Sequence, residues 1–351
     1  MSQAIRVMQS FRAPRPTTNP YITMLDAALS ATDDLEHLRF DWRRAVLGRY
    51  DAFHWHWPEG KLESTTWWKK AGKHVLFALI LLRHRFSRVA VVRTVHNLEL
   101  PEGIGPVTRR MLLMVEALTD FRIVLNETTP VRPGQSYRAI LHGHYRDWYD
   151  QPHAAVVPGQ LGYFGMVRRY KSLDVLFSAY AEAHSGDPEL SLRLGGRPST
   201  PELGSQVRAQ IEELPNVSAK LEFLADDELV ELTTSSELVV LPYRHMHNSG
   251  SVLATLSLGR PVLVPRNEAN QALAREVGQA WVQQFDGELD GQQLLAALAE
   301  VRRIPPGEVP DLSRREWDEA GRAHAAAYRE AVAVKARRRA SRRDEQKDRG
   351  A

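Results

Sequence analysis

The chain has 351 residues, of which 43% are hydrophobic and 25% are charged, as expected for a soluble protein with two domains. It contains no cysteine, which excludes disulfide bonds and thiol chemistry. The formal net charge is +3, but residues 335–349 carry eight basic and three acidic residues, so the rest of the chain is slightly acidic. This balance argues against a nucleic-acid binder.

No targeting segment is predicted. Residues 1–15 lack the apolar core of a signal peptide, and no apolar run reaches transmembrane length. We therefore expect a cytoplasmic protein. Residues 337–351 are expected to form a disordered basic tail, which is either solvated or attracted to anionic lipid head groups at the inner face of the cell membrane.

Short apolar runs alternate with amphipathic segments, which predicts α/β domains. The predicted strands are residues 4–10, 89–94, 121–125, 190–194, 217–221, 238–241 and 261–265. The predicted helices are residues 22–29, 110–118, 251–258, 271–276, 291–302 and 313–334. Residues 152–158 are predicted to cross from the first domain into the second.

The segment YDAFHWHWPE at residues 50–59 has the alternation of a strand end. Alternation separates the aromatic side chains from the histidines, with Phe53, Trp55 and Trp57 on one side and His54 and His56 on the other. The histidines are either satisfied strand-end groups or part of a ligand site. In such a site, Trp57 would stack on a ring of the ligand and Glu59 would accept a hydrogen bond from a hydroxyl group.

Residues 65–86 read TTWWKKAGKHVLFALILLRHRF, an apolar run between basic clusters with two tryptophans near its start. The eight apolar residues 75–82 are too few to span a bilayer. An amphipathic helix with Trp and Lys at one end could lie in a membrane interface. An ordinary core helix is the alternative, and it is favoured because the apolar run has no polar side.

His96-Asn97 directly follows the predicted strand at residues 89–94. In open α/β sheets, ligands bind outside the carboxyl ends of the strands. A histidine at this place can hydrogen-bond a ligand hydroxyl or exchange protons near neutral pH. His96 is therefore a candidate site residue, with a structural strand-end histidine as the alternative.

Residues 236–265 read as strand, polar loop, helix and strand. The junction Asn248-Ser249-Gly250-Ser251 puts small residues at the helix start, where backbone N–H groups and the helix dipole favour an anion. The polar loop before the junction supplies further candidates, namely Tyr243, Arg244 and His247. An ordinary N-cap without a ligand is the alternative.

A basic segment at residues 162–180, GYFGMVRRYKSLDVLFSAY, joins an apolar run to an amphipathic helix. Gly165 ends the apolar run, and Arg168, Arg169 and Lys171 precede the helix. Together with an anion-accepting helix start near Gly250, these cations are what a diphosphate ligand needs. A solvated basic loop is the alternative.

These motifs, in this order, resemble those of GT-B glycosyltransferases, close to the retaining family 4 and to bacterial exopolysaccharide glycosyltransferases. That pattern has a glycine with a lysine six residues on, an acidic helix start, a strand-Pro-loop-helix-Gly-x-Pro-Val unit, and a histidine after the fourth strand. The matching residues are Gly165 with Lys171, Asp226-Asp227, residues 241–262 and His96. Residues 141–145, which include His144, resemble the family's turn towards the hinge.

Two departures from the pattern stand out. Met246 and Ala254 occupy the positions of two typical glutamates, and neither can accept a hydrogen bond as a carboxylate does. Met166 stands where an arginine often follows the first glycine, and Arg168 or Arg169 could substitute for it.

The resemblance implies two Rossmann-like domains that face a cleft, with a C-terminal helix that crosses back to the first domain. The expected bounds are 1–157 for an acceptor domain, 158–312 for a nucleotide-sugar donor domain and 313–336 for the crossing helix. It implies transfer of a hexose from a nucleoside diphosphate sugar to a saccharide acceptor, lipid-linked, in surface polysaccharide synthesis. Neither a metal nor another cofactor is expected, and nucleic acid is not an expected partner.

The resemblance also implies roles for individual residues. The expected diphosphate site consists of Gly165, Arg168, Arg169, Lys171, Asn248, Ser249, Gly250 and Ser251. Contacts to the donor sugar or nucleotide are expected from His144, Gly195, Tyr243, Arg244 and His247, and acceptor contacts from Asn19, His54, His56 and Trp57. His96 would contact the donor sugar, and Glu59, Glu102 or His96 would be the base of an inverting enzyme.

Three other interpretations stay open. Three His-x-His pairs, at 54/56, 142/144 and 245/247, could bind zinc if two of them met. A non-catalytic GT-B homologue that binds sugar or joins a synthase complex would explain the absent glutamates. A nucleotide-sugar epimerase would need several carboxylates that the sequence does not supply.

Overall fold

The computed structural model of the protein describes residues 4–101, 103–244 and 246–348. The chain divides into two compact units, one formed by Met1–Gly143 with Arg315–Ala351 and the other by His144–Arg314. Each unit holds one six-stranded sheet, and the paired strands are parallel. The predicted α/β class is confirmed. The division falls between Gly143 and His144, upstream of the boundary expected after residue 157.

The first unit alternates strands and helices. Its strands are β1 (Ile5–Gln9), β2 (Leu35–Leu38), β3 (Ala52–Trp55), β4 (Ala90–Val95), β5 (Phe121–Val124) and β6 (Ser136–Ala139). Its first helices are α1 (Pro20–Ala31), α2 (Trp42–Leu47), α3 (Trp67–Phe86) and α4 (Pro106–Leu118). The strand order is β2-β1-β3-β4-β5-β6, so the direction of winding reverses between β1 and β3. Ligands of such sheets bind at the carboxyl ends of the strands beside this reversal.

The core of the first unit lies under α3 and α4. Phe53 and Trp55 of β3 pack there with Phe77 of α3 and Leu112 of α4. Burial of a large apolar side chain contributes about 1.5–3 kcal/mol. Since His54 points to the opposite side of β3, the predicted alternation is confirmed for Phe53, His54 and Trp55.

The second unit has the same plan. Its strands are β7 (Gln160–Phe164), β8 (Ser191–Gly195), β9 (Val217–Lys220), β10 (Leu238–Val240), β11 (Val262–Pro265) and β12 (Val282–Phe285). Its helices are α5 (Leu173–Gly186), α6 (Pro201–Glu212), α7 (Asp226–Ser235), α8 (Gly250–Ser257), α9 (Glu268–Val277) and α10 (Gly291–Val301). The order β12-β11-β10-β7-β8-β9 reverses between β7 and β10.

The last helix, α11 (Trp317–Asp348), returns to the first unit, where it packs on α1 and on the sheet. A Cβ atom at Gly321 would lie 2.9 Å from the carbonyl oxygen of Ala28, so the glycine permits this close approach of two helices. The tail expected to be disordered from residue 337 is helical as far as Asp348. Arg338 contacts the Asp120 carboxylate, and Arg339 donates to the carbonyl of Ser87, which anchors this part of the helix. Residues 349–351 lie outside the described residues.

Candidate functional site

In the second unit, a buried lysine lies at the reversal between β7 and β10. The Nζ atom of Lys171 donates a hydrogen bond to the Tyr243 hydroxyl at 3.0 Å and lies 4.5 Å from the centre of the tyrosine ring. Only 8% of Lys171 is exposed. Burial, and then the positive charge of Arg168, lowers the pKa of Lys171 to about 8. Among the residues that the structure describes, no carboxylate forms an ion pair with this lysine.

Gly165, which follows β7, keeps a small space open beside that lysine. Its φ of 116° is one that L residues rarely adopt. A Cβ atom there would lie 3.0 Å from Lys171 Nζ, 3.6 Å from Ser251 Oγ and 3.8 Å from the Tyr243 hydroxyl. The structure therefore brings together four residues that the sequence assigned to the donor.

Helix α8 begins beside this space. Ser249 is its N-cap and accepts a hydrogen bond from the Val252 N–H at 3.4 Å. Gly250 opens the first turn, where a Cβ atom would lie 3.3 Å from the hydroxyl of Tyr145. Asn248 and His247 precede the cap and are partly exposed, and burial lowers the pKa of His247.

Three expected arginines lie on the surface of this unit. The Nε atom of Arg168 donates to the sulfur of Met166 at 3.2 Å, and Arg169 begins the short 3₁₀ turn that ends at Lys171. The backbone N–H of Arg244 donates to the carbonyl of Tyr170 at 3.0 Å. All three side chains are exposed, so their guanidinium groups lie outside the buried Lys171–Tyr243 pair.

Two expected donor contacts have a local structural explanation. A Cβ atom at Gly195 would lie 2.4 Å from a methyl carbon of Leu224, so this glycine is required by packing. His144 is buried, and its Nδ1 accepts a hydrogen bond from the Arg146 N–H at 3.3 Å. Gly196 is the glycine next to Gly165, since a Cβ atom at Gly196 would lie 2.0 Å from the Gly165 carbonyl oxygen.

The positions of the absent glutamates are packed. Met246 is 8% exposed and Ala254 is 4% exposed. The carbonyl of Met246 accepts a hydrogen bond from Asn267 at 3.0 Å, and its sulfur lies 3.4 Å from Asn270 Nδ2. Both positions therefore lie in the interior of the unit.

In the first unit, polar side chains at the reversal between β1 and β3 form a buried chain of hydrogen bonds. Gln9 Nε2 donates to the Tyr328 hydroxyl at 3.0 Å, and Gln9 Oε1 lies 3.2 Å from His56 Nε2. His56 Nδ1 lies 3.3 Å from His96 Nε2. His54 joins the chain through the Tyr328 hydroxyl at 2.8 Å and through Thr94 at 2.8 Å.

This chain fixes the protons of the histidines. With the Gln9 amide in this orientation, its oxygen can only accept, so His56 carries its proton on Nε2. His56 Nδ1 must then accept from the Nε2–H of His96. Burial lowers the pKa of His54, His56 and His96 well below the ordinary value, so the three rings are neutral at neutral pH.

A pocket of about 360 Å³, part of it open solvent, lies where this chain reaches the surface of the first unit. The residues that line it include His56, Trp57, Glu59, Arg93, His96 and Asn97. The rings of Trp57 and His96 are stacked, with centroids 3.7 Å apart and an 18° angle between planes. Burial raises the pKa of Glu59.

Tyr21 adds a buried hydroxyl that the sequence did not reveal. It is 3% exposed, and its oxygen has no hydrogen-bond partner among the described residues. Its ring lies 5.4 Å from His96 and 4.6 Å from His142 between ring centroids. Asn19, an expected acceptor residue, caps α1 by accepting a hydrogen bond from the Tyr21 N–H at 3.0 Å. Asn19 therefore positions Tyr21.

The structure changes two expectations for the acceptor residues. His54 is fully buried, does not line the pocket, and has both ring nitrogens hydrogen-bonded, which is the arrangement of the satisfied strand-end histidine that the sequence left open as the alternative. Trp57 lies beyond the end of β3 on the histidine side, and one face of its indole is covered by His96. A sugar could stack only on the other face.

The zinc interpretation gains no support from the described ranges, in which no three His, Asp or Glu side chains are arranged to hold a metal ion. His245 of the third His-x-His pair and Glu102, a candidate base, lie outside the described residues. None of the helices within those ranges is long and apolar enough to cross a membrane.

The chain is similar to known glycosyltransferases in both sequence and fold. Two relatives from Xanthomonas campestris pv. campestris, each named GDP-mannose:glycolipid 4-beta-D-mannosyltransferase, are 41% identical over 329 residues, which is 93% of each chain. No protein-family model matches the chain.

Solved structures of low identity agree in fold. Anabaena HepE in complex with UDP and glucose gives a TM-score of 0.57 at 14% identity, covering 97% of this chain and 100% of that one. Sucrose-phosphate synthase from Thermosynechococcus elongatus gives 0.55 at 12% identity, covering 98% and 100%. The chain therefore has the GT-B fold and belongs to the same glycosyltransferase family as the two mannosyltransferases, whose members transfer a hexose from a nucleoside diphosphate sugar to a saccharide acceptor.

Proposed function

We propose that this enzyme transfers mannose from GDP-mannose to a glycolipid acceptor and forms a β-linked product. The two relatives at 41% identity are named for this reaction, and they match 93% of the chain. We further propose that the enzyme works in the cytoplasm, at the inner face of the cell membrane, where a nucleotide donor and a lipid-linked acceptor can meet.

The buried ammonium group of Lys171 is the observation that carries the donor site. A buried cation is costly unless an anion compensates it. No carboxylate among the described residues does so, and the first turn of α8 beside it favours negative charge. The diphosphate of the donor would lie in the space beside Lys171, Ser251 and Gly165, and would supply the negative charge that compensates the lysine.

The same groups would assist the reaction. Negative charge grows on the diphosphate as the bond to the sugar breaks, and fixed cations and N–H dipoles stabilise it. Lys171 and the α8 terminus would therefore perform the role that a metal ion has in other enzymes. We propose on this basis that the reaction is independent of metal ions.

The pocket in the first unit would bind the acceptor. A β-linked product formed from an α-linked sugar nucleotide requires inversion, which in one step needs a base for the attacking hydroxyl. We assign this role to Glu59, because burial raises its pKa while it lowers that of His96. Burial thus makes the carboxylate a stronger base and the imidazole a weaker one than they are in water, and His96 with Tyr21 would position the sugar.

Calorimetry with nucleotides tests the donor site. We expect GDP to bind more tightly than UDP, ADP or CMP, and we expect Lys171→Met to weaken GDP binding by about 10- to 100-fold, the range for a charge-assisted hydrogen bond. Lys220→Met is the control, since Lys220 is an exposed lysine of the same unit that pairs with Glu228. Equal affinity of the wild type and Lys171→Met would remove Lys171 from the site.

Product analysis tests the reaction itself. Purified enzyme is incubated with GDP-mannose and membrane glycolipid, and the new linkage is identified by NMR. We expect a β-mannosyl product that forms equally well after treatment with EDTA. Transfer of another sugar, or activity that needs an added divalent cation, would contradict the proposal.

A further inference from the structure

Helix α3 has a second apolar face that the fold does not use. Trp68, Val75, Leu79, Leu82 and Phe86 are between 42% and 70% exposed. At about 100° per residue, these five side chains lie within about 60° of one another around the helix axis. They form a continuous stripe along all five turns of the helix, which we call the outer stripe.

The opposite face of the same helix already holds it in the core. Phe77, Ile80, Leu81 and His84 are at most 2% exposed and point about 180° away from the outer stripe. The helix is thus anchored without the outer stripe. Two apolar faces on one helix also explain why the sequence run at residues 75–82 has no polar side.

Helix α4 extends this exposed apolar surface. Val107, Leu113 and Met114 are 60%, 49% and 41% exposed. Both helices cover the same core cluster, to which α3 contributes Phe77 and α4 contributes Leu112. Their exposed sides therefore face away from the same layer of the sheet, and together they form one outer surface.

The charges around this surface have one sign. Residues 67–88 contain six basic residues and no acidic residue. Lys69 and Arg85 lie on the two sides of the outer stripe, each about 100° from its centre. Arg109 and Arg110 of α4 are exposed, whereas its one acid, Glu116, is paired with Arg93 and Arg122.

We propose that α3 and α4 form a docking face for an anionic lipid bilayer, with the outer stripe of α3 lying in the membrane interface. Tryptophans at one end, basic residues on both flanks and an apolar stripe between them are the features of an interfacial helix. A second copy of the chain fits this face poorly, because self-association would bring the six basic residues of each copy together.

The location of the docking face suits a glycolipid substrate, and in this respect the inference rests on the proposed function. Leu112 of α4 lines the pocket that holds Glu59 and His96, while other residues of the same helix belong to the docking face. A lipid-linked sugar could therefore reach the pocket while its lipid stays in the bilayer.

Vesicle co-sedimentation tests the docking face. The full-length protein is mixed with vesicles of phosphatidylcholine alone or with added phosphatidylglycerol, both without glycolipid. We expect binding to the anionic vesicles that weakens at high salt. The double variant Leu79→Glu/Leu82→Glu should bind at least about tenfold more weakly. The matched control is Phe223→Glu/Val309→Glu, which adds the same charges at exposed apolar positions of the second unit and should bind like the wild type.

Three outcomes would overturn the proposal. They are no binding of the wild type at low salt, equal binding of the Leu79→Glu/Leu82→Glu variant, and a stable dimer that this variant dissociates. GDP binding of the variant is measured alongside, to show that it is folded. Because the vesicles contain neither donor nor acceptor, failure of mannosyl transfer would leave the docking result unaffected, and the reverse also holds.

Discussion

The ammonium nitrogen of Lys171 lies 3.0 Å from the hydroxyl oxygen of Tyr243, a residue that follows a different strand of the same sheet. Lys171 comes after β7 and Tyr243 after β10, and the winding of the sheet reverses between these strands. The pair therefore lies where the fold is expected to bind a ligand. Because this cation has a lowered pKa, its protonation should be coupled to the binding of the donor.

The affinity for GDP should weaken as the pH rises through about 8. Lys171 has a pKa of about 8 in the free protein, so it is protonated below this pH and increasingly neutral above it. A diphosphate binds the protonated form, so the apparent Kd should rise by up to about tenfold per pH unit above pH 8. Calorimetry between about pH 6.5 and about pH 9 measures this effect.

The matched control for this pH dependence is Lys171→Met, in which the rise in Kd above pH 8 should disappear. Any titration of the nucleotide itself is common to both proteins and cancels in the comparison. Parallel pH curves for the two proteins would mean that the diphosphate does not contact Lys171.

Much of the fold could be predicted from the sequence, because buried parallel strands are apolar runs. Strands such as β4, AVVRTV, contrast with the flanking segments, and the predicted bounds of β4 agree with the observed bounds to within one residue. The edge strands β2 (LEHL), β6 (SYRA) and β12 (VQQF) were not predicted. Each has a neighbour on one side only and half-exposed side chains, so its sequence carries no apolar run.

The grouping of the residues proposed for the donor site could be predicted because they lie in two short motifs, whereas the histidine chain could not. Gln9 and Tyr328 are 319 positions apart, and only the return of α11 to the first sheet brings them together. The alternation at residues 50–59 correctly put His54 and His56 on one side. It could not tell that the first is fully buried and that the second reaches the pocket.

Removal of the Tyr328 hydroxyl should affect turnover through His96. Tyr328→Phe deletes the acceptor for the Gln9 amide, which orients His56 and through it His96. Since the residue acts by positioning, we expect kcat to fall by about tenfold, with an unchanged KM for GDP-mannose. The acid limb of the pH–rate profile should also shift, because a less ordered His96 changes the surroundings of the base.

Tyr180→Phe is the matched control for Tyr328→Phe. Tyr180 is an equally buried tyrosine whose hydroxyl donates to the backbone carbonyls of Leu190 and Pro215 in the second unit. Both variants should lose about 1–2 kcal/mol of stability. An equal loss of stability with no change of kcat in either variant would assign Tyr328 a purely structural role.

Glu59→Gln should identify the base. If Glu59 takes the proton of the acceptor hydroxyl, kcat should fall by about 10²- to 10⁴-fold, while GDP binding is unchanged. Burial raises the pKa of this carboxyl above the ordinary glutamate value of 4.5. The acid limb of the kcat/KM profile should therefore have its midpoint above pH 4.5 in the wild type, and it should be absent in the variant. His96→Asn should cost less. A larger loss in His96→Asn, with near-normal turnover in Glu59→Gln, would make His96 the base.

His84 is expected to make the first unit sensitive to acid. It is fully buried on the inner face of α3, and neither ring nitrogen has a hydrogen-bond partner among the described residues. Burial lowers its pKa from 6.5 to about 3, so the unfolded chain takes up a proton below pH 6.5 that the folded protein takes up only near pH 3. The stability that depends on the neutral ring is complete above pH 6.5 and declines as the pH falls towards 3.

His84→Leu should therefore stabilise the protein, and by more at low pH. Leucine removes two unpartnered nitrogens, which should raise the free energy of unfolding by about 1 kcal/mol at neutral pH. Leucine also cannot take up a proton, which should add up to about 1.4 kcal/mol for each pH unit below 6.5. Urea unfolding followed by far-UV circular dichroism measures both effects. The exposed His153 supplies the control His153→Leu, which makes the same change of residue type at the surface of the protein. The free energies of unfolding of His84→Leu and the wild type could instead differ by the same amount at all pH values. That result would show that His84 takes up no more protons in the unfolded chain than in the folded protein.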